Sequence, residues 1–193
     1  MTFLDRLLAL FGKKSVSVSV DLPGFGEVTQ EEIDESNRKD YMDETPKRLK
    51  RICDSVVADP YLVAVDQGDK LKTFCNLAVY RICRQFASNN DFDGLLANQI
   101  YDYCATSPRW SKVDGPWAAE YALSGGLAIA AQKAKGHGHV AVVYPAPMLR
   151  SPSWGKDVPV IANVGKTNGI MACSRAFKDE PDFYVLKQDR KGV

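Results

Sequence analysis

The spacing of apolar residues changes along this chain, from a helical period in its earlier part to short β-rich runs in its later part. Helical spacing occurs in five segments, residues 3–11, 45–58, 76–86, 95–104 and 116–123. Four runs bounded by Gly and Pro are β-rich, residues 127–131, 139–144, 158–164 and 183–186. Helices followed by strands predict an α+β fold, with N-terminal helices packed on a small antiparallel β-sheet.

The length and composition suit one folded domain with an appendage. The chain has 193 residues, of which 45% are hydrophobic and 25% charged. Residues 27–44 are acidic and polar, which predicts a surface segment or linker, and Thr45 and Pro46 then suit the N-cap and first position of a helix. We therefore predict an appendage over residues 1–44, with a short helix, a strand at 15–20 and the acidic segment, and a folded domain over 45–193.

The first twenty residues do not resemble an export signal or a membrane span. The apolar run is followed by Lys13 and Lys14 with no small-residue cleavage site, and it is shorter than the roughly 20 residues that a span needs. We expect synthesis in the cytoplasm, reduced cysteines, and a docking role for residues 1–20 at a partner or membrane surface. The net charge of +1 gives no bulk attraction to nucleic acid.

Cys75 stands where a polar loop meets the strongest amphipathic segment. A thiol at a helix start lies near unpaired N–H groups and the positive end of the helix dipole, which predicts a lowered pKa and a nucleophilic thiolate. The alternative is a buried packing thiol, since cysteine is among the most buried residue types. The other four cysteines lie in apolar patterns and are predicted to be packing residues: Cys53, Cys83, Cys104 and Cys173.

Only two histidines are available for acid–base chemistry near neutral pH, His137 and His139. Both fall on one face of an extended strand, so either could meet the thiolate. His139 is the better placed, because the strand holds it more rigidly than the glycine-rich run holds His137. Asn163, on the next β-rich run, has an amide oxygen that can accept a ring N–H and orient the imidazole; an ordinary polar residue at a strand end is the alternative.

The order of these residues resembles that of the papain-like peptidoglycan hydrolases of the CHAP and NlpC types. Five stretches carry the resemblance: Phe74-Cys75-Asn76, the helix at 96–102, Trp110 with residues 118–131, the histidine strand at 138–143, and residues 160–165 with Asn168. Together they cover roughly residues 70–187. The resemblance does not extend to residues 1–44.

The resemblance implies a papain-like fold and a thiol mechanism without metal or cofactor. In it Cys75 is the nucleophile, His139 the general base and acid, and Asn163 the residue that orients the histidine. The implied substrate is an amide bond of bacterial peptidoglycan, cut by an amidase or an endopeptidase. The implied place of action is the cell wall or periplasm, reached after release by a phage holin or a bacterial secretion machine.

Further residues are candidates for binding the substrate: Asn76, Tyr101, Trp110, Trp117 and His137. The aromatic members would line a groove for glycan or peptide, and core packing is the alternative for them. His137 departs from the family pattern and is the substitute for His139.

Three other kinds of site or function compete with this interpretation. Residues 165–167 read Gly-Lys-Thr, but Val160 stands where a phosphate-binding loop needs glycine, which excludes a nucleotide site. Cys75, His137 and His139 could in principle share a zinc ion, although the chain has no CxxC or HExxH spacing. A papain-like binding module without turnover is the third interpretation.

Overall fold

The computed structural model describes residues 19–20, 28–68 and 71–187, with side chains for 44–68 and 71–187. The chain divides into two units, Met1–Tyr41 and Met42–Val193. In the first unit, strands β1 (Ser19–Val20) and β2 (Val28–Thr29) pair in antiparallel fashion. The predicted helix at 3–11 and most of the predicted strand at 15–20 lie outside the described residues.

The predicted linker is helical instead. Helix α1 spans Gln30–Val57, so Pro46 lies inside the helix and not at its first position, and Thr45 is not its N-cap. Four Glu residues between Gln30 and Pro46 favour helix without giving an apolar period, and this is why the pattern of apolar residues missed it. Proline removes one backbone hydrogen bond from the helix without ending it.

Three further helices agree with the predicted ones: α2 (Cys75–Ala87), α3 (Ala97–Thr106) and α4 (Gly115–Leu123). The apolar face of α2 is buried, because its residues recur at helical spacing from Cys75 to Cys83. At the start of α4, the Asp114 carboxylate accepts the N–H of Trp117 at 2.8 Å, which is an N-cap bond. Short 3-10 turns occupy Pro60–Leu62 and Cys173–Arg175.

Six antiparallel strands form the main sheet: β5 (Trp110–Val113), β6 (Ala128–Gln132), β7 (His139–Val143), β10 (Val160–Asn163), β11 (Gly169–Ala172) and β12 (Asp182–Leu186). Their spatial order is β11-β10-β7-β6-β12-β5. The four predicted β-rich runs became β6, β7, β10 and β12. Strands β5 and β11 at the two ends of the sheet were missed, because neither has a strong β pattern.

Two small hairpins stand apart from this sheet. One pairs β3 (Val65–Asp66) with β4 (Leu71–Lys72), and the other pairs β8 (Leu149–Ser151) with β9 (Lys156–Val158).

The four inner strands of the main sheet, β10, β7, β6 and β12, are buried on both faces, and their alternate residues enter different cores. In β6, Ile129 joins the core that holds Leu49, Ile82 and Ile100 of α1, α2 and α3, whereas Ala130 joins the core on the α4 side. Helices packed against an antiparallel sheet confirm the α+β class. Among the described residues, no helix combines the length and the apolar character that crossing a membrane would require.

Candidate active site

Cys75 is the first residue of α2, and its side chain is only 5% exposed. The first hydrogen bond of the helix runs from the Ala78 N–H to the Phe74 carbonyl at 2.9 Å, so the N–H groups of the preceding turn have no partner within the helix. Backbone N–H groups of Cys75, Asn76 and Val140 are directed at the thiol. The sulfur therefore lies between the start of α2 and strand β7, which carries His139.

The expected lowering of the Cys75 pKa is wrong. Burial raises the pKa of this thiol, and the three backbone N–H groups oppose that effect without overcoming it. A buried thiolate loses its hydration, and the partial charges of a helix start do not replace that hydration fully. These contributions favour the neutral thiol over the thiolate.

His139 is the first residue of β7, and its Nε2 atom lies 2.7 Å from Oδ1 of Asn163. The orientation of the Asn163 amide follows from its other bond, because Nδ2 donates to the Thr167 carbonyl at 2.6 Å. Oδ1 can only accept, so Nε2 of His139 carries the proton. In the neutral ring, Nδ1 is then the basic nitrogen that can receive a proton.

Asn163 ends strand β10 and is 4% exposed. The loop that follows it is closed by Asn168, whose Oδ1 accepts the Gly165 N–H at 3.1 Å and whose Nδ2 donates to the Leu62 carbonyl at 3.1 Å. A Cβ atom at Gly165 would lie 3.3 Å from Cε1 of His139, so glycine lets the loop approach the imidazole closely. The loop thus holds both the orienting amide and one wall of the histidine site.

Phe177 forms another wall of the histidine site and was missed by the sequence reasoning. Its ring centroid lies 4.8 Å from that of His139 at an interplanar angle of 53°, and the side chain is 2% exposed. Burial lowers the pKa of His139, and the hydrogen bond to Asn163 opposes that shift. Residues 175–179 carry no apolar period that would have indicated a buried aromatic residue here.

The aromatic candidates for substrate binding do not line one shared groove. Trp110 is 3% exposed and stacks on Phe92 with ring centroids 5.2 Å apart, so it is a core residue. Trp117 is half-buried and packs edge-on against Tyr121 at 5.9 Å. The hydroxyl of Tyr101 donates to the Asp182 carboxylate at 2.6 Å, which ties α3 to β12.

The two polar candidates have different environments. Asn76 is half-buried, and its Nδ2 donates to the Leu95 carbonyl at 2.9 Å, which secures the segment before α3. His137 is exposed in the loop between β6 and β7. The structure therefore joins His139 to Asn163 directly and sets Cys75 against the backbone of the same strand. Cys75 packs in the core on the side of α1, α2 and α3, whereas the Phe177 ring beside His139 belongs to the core on the α4 side.

The remaining cysteines match their predicted packing role. All five cysteines are free thiols, and the four others are buried in the cores. Within the part of the chain that the structure describes, no group of three or more His, Cys, Asp or Glu side chains is arranged to hold a metal ion. Cys75, His137 and His139 therefore do not form the ligand cluster that a zinc site would need.

A scan against protein-family models found no match to this chain, and a search of the curated proteins found no match either.

Proposed function

We propose that this protein is a cysteine-dependent hydrolase of papain-like fold that cleaves an amide bond in bacterial peptidoglycan. The observation that carries the chemistry is the 2.7 Å contact between His139 and Asn163, on the strand whose backbone also reaches the Cys75 thiol. A nucleophile, a base and a residue that orients the base are the three parts that thiol hydrolysis requires. The peptidoglycan substrate is supported by the resemblance of the five sequence stretches described above.

In the acylation step, the base removes the thiol proton as the sulfur attacks. Nδ1 of His139 accepts the proton from Cys75 while the sulfur bonds to the amide carbon. The bond from Nε2–H to Asn163 stabilises the imidazolium that forms. The N–H groups at the start of α2 stabilise the negative charge on the substrate oxygen. The imidazolium then gives its proton to the leaving nitrogen as the carbon–nitrogen bond breaks.

Deacylation uses the same groups, with water as the nucleophile and the Cys75 sulfur as the leaving group. A water molecule attacks the thioester carbon and loses a proton to Nδ1 of His139. The carbon–sulfur bond breaks, and the imidazolium returns the proton to the sulfur of Cys75. The carboxylic acid product leaves, and the neutral thiol and imidazole are restored without an oxidant, a reductant or a metal.

A catalytically silent binding module is the second candidate function. The raised pKa of Cys75 favours it, because a neutral buried thiol is a weak nucleophile unless a base acts on it. In either case we propose that the chain acts at the bacterial wall after release by a holin or a secretion machine.

Mass spectrometry of digested peptidoglycan tests the proposal and names the bond. Purified sacculi would be incubated with the wild-type protein and with Cys75→Ala. We expect soluble fragments from the wild-type protein only, with masses that identify a muramoyl–alanine amide, a stem-peptide bond or a cross-bridge bond. Protein that pellets with sacculi while neither form releases fragments would favour the binding module.

A further inference from the structure

The backbone of the loop that delivers His139 is bound by the Asn98 side chain of helix α3. Strands β6 and β7 pair from Ile129–Val142 to Gln132–His139, which leaves residues 133–138 as the connecting loop. Asn98 donates from Nδ2 to the Ala134 carbonyl at 2.9 Å and accepts the Ala134 N–H on Oδ1 at 3.2 Å. Its Nδ2 also lies 3.5 Å from the Gly136 carbonyl. The amide thus takes the place of a backbone strand partner for the loop.

Gly138 makes this clamp sterically possible. A Cβ atom at residue 138 would lie 2.3 Å from Oδ1 of Asn98 and 2.6 Å from the Gln132 carbonyl, distances that no side chain can occupy. The residue directly before His139 therefore packs against the same amide that holds Ala134. Asn98 contacts the loop at both of its ends.

A second link from α3 to this loop is of a different kind. Lys133 places its Nζ 2.6 and 2.7 Å from the two carboxylate oxygens of Asp102, one helical turn after Asn98. Both side chains of that ion pair are about half exposed, so the pair contributes little to stability in water. It binds a side chain of the loop and not its backbone, which makes it a natural control.

We propose that Asn98 is a positioning residue for His139, which fixes the loop at 133–138 so that the imidazole meets Asn163 in its working orientation. Asn98 touches neither the thiol nor the imidazole in this role; it acts through the backbone of the loop. Its importance for turnover rests on the proposed hydrolase function, whereas its effect on the imidazole does not.

The state of the imidazole can be read without any substrate. The chain has only two histidines, so long-range ¹H–¹⁵N NMR at pH 8 shows two rings, and His137→Gln assigns them. In the wild-type protein we expect His139 to be in the Nε2–H form. Asn98→Asp is nearly isosteric and keeps an acceptor for the Ala134 N–H, but it places a carboxylate oxygen against the Ala134 carbonyl. We expect it to shift His139 toward a mixture of tautomers.

Asn98→Ala is expected to shift the tautomers in the same way, because it removes the clamp altogether. Where wild-type turnover is measurable, both variants are expected to lower it roughly five- to tenfold, the effect of about one net hydrogen bond. Asp102→Asn is expected to leave the His139 signals unchanged and to alter turnover less than twofold. If Asn98→Ala does not fold, the isosteric Asn98→Asp decides.

Two results would overturn the inference: an unchanged Nε2–H signal in Asn98→Asp, or an equal shift in Asp102→Asn. A wild-type protein without hydrolase activity would defeat the proposed function alone, because the NMR comparison would still decide the role of Asn98. If the wild-type protein has activity that depends on Cys75, but neither Asn98 variant changes the His139 ring signals, this inference alone would be defeated.

Discussion

Nε2 of His139 and Oδ1 of Asn163 lie 2.7 Å apart, although 24 positions separate the two residues in sequence. The other end of the amide is occupied, because Nδ2 of Asn163 donates to the Thr167 carbonyl. The amide therefore cannot turn to offer its NH₂ group to the ring without losing that bond. The pair sets which imidazole nitrogen is protonated and leaves the other as the base.

Asn163→Ala should weaken both turnover and folding. A hydrogen bond to the imidazolium is worth about 1.5–3 kcal/mol in the transition state, which corresponds to a roughly 10- to 150-fold loss of kcat. The Thr167 carbonyl loses its partner as well, so the free energy of unfolding should fall by about 1–3 kcal/mol. Steady-state kinetics on sacculi and urea unfolding would measure the two losses. Wild-type kcat in a folded Asn163→Ala protein would contradict the orienting role.

Asn163→Asp should shift the acid limb of the pH–rate profile upward. A carboxylate beside the ring favours the imidazolium, which raises the pKa of His139, so the neutral base is lost at higher pH than in the wild-type protein. The ratio of kcat/KM values at pH 5.5 and 7.5 measures this shift. An acid limb at the wild-type position would mean that the side chain at 163 does not contact the base in solution.

Alkylation by iodoacetamide should report a neutral thiol at Cys75. Burial raises the pKa of this thiol, so the rate should climb through the alkaline range with a midpoint above the ordinary cysteine value of about 8.5. Peptide mass mapping would separate Cys75 from the four cysteines packed in the cores. A rate that is already at its plateau between pH 5 and 8 would instead reveal a thiolate–imidazolium pair at rest.

The stability of the fold should depend on His139 in mildly acidic solution. Its pKa is lowered by burial in the folded state, so below the unfolded value of about 6.5 the unfolded chain binds more protons than the folded one. Stability is therefore lost as the pH falls through that window. Urea unfolding at pH 7.5 and 5.5 should show a smaller loss for His139→Gln than for the wild-type protein. The exposed His137→Gln serves as the matched control, and equal losses in all three proteins would refute the assignment.

Gly165→Ala should disturb the imidazole, whereas Gly169→Ala should not. The new methyl group at 165 would lie 3.3 Å from the ring of His139, and the ring cannot yield without leaving Asn163. At Gly169 the nearest atom, also at 3.3 Å, is the flexible methyl group of Met171. We expect overpacking to destabilise Gly165→Ala by about 1–3 kcal/mol and to lower kcat severalfold. Equal kinetics of the two variants would show that the loop yields freely.

The parts of the fold that depend on local patterns could be predicted from the sequence. Helix α2 and strand β7 have regular apolar spacing, and the positions of Cys75 and His139 at their first residues follow from it. The polar half of α1 could not be predicted this way, because its helix formers lack an apolar face.

The environment of the site depends on long-range packing, which local patterns do not encode. The ring of Phe177 reaches His139 across 38 positions, and Asn98 reaches Ala134 across 36. The wrong prediction of a lowered Cys75 pKa has the same origin, because a helix start can be recognised in a sequence whereas the degree of burial cannot. Trp110 was also misplaced for this reason: it was a candidate for a substrate groove, and its side chain is buried in the core instead.

The rate at which purified sacculi release soluble fragments, compared between the wild-type protein, Cys75→Ala and Cys53→Ala, tests the central claim most directly. Cys53 is a fully buried thiol of α1, so its removal controls for the loss of a cysteine as such. We predict similar rates for the wild-type protein and Cys53→Ala, and a rate at least about a thousandfold lower for Cys75→Ala. Equal release by the wild-type protein and Cys75→Ala, or no release by the wild-type protein, would contradict the account.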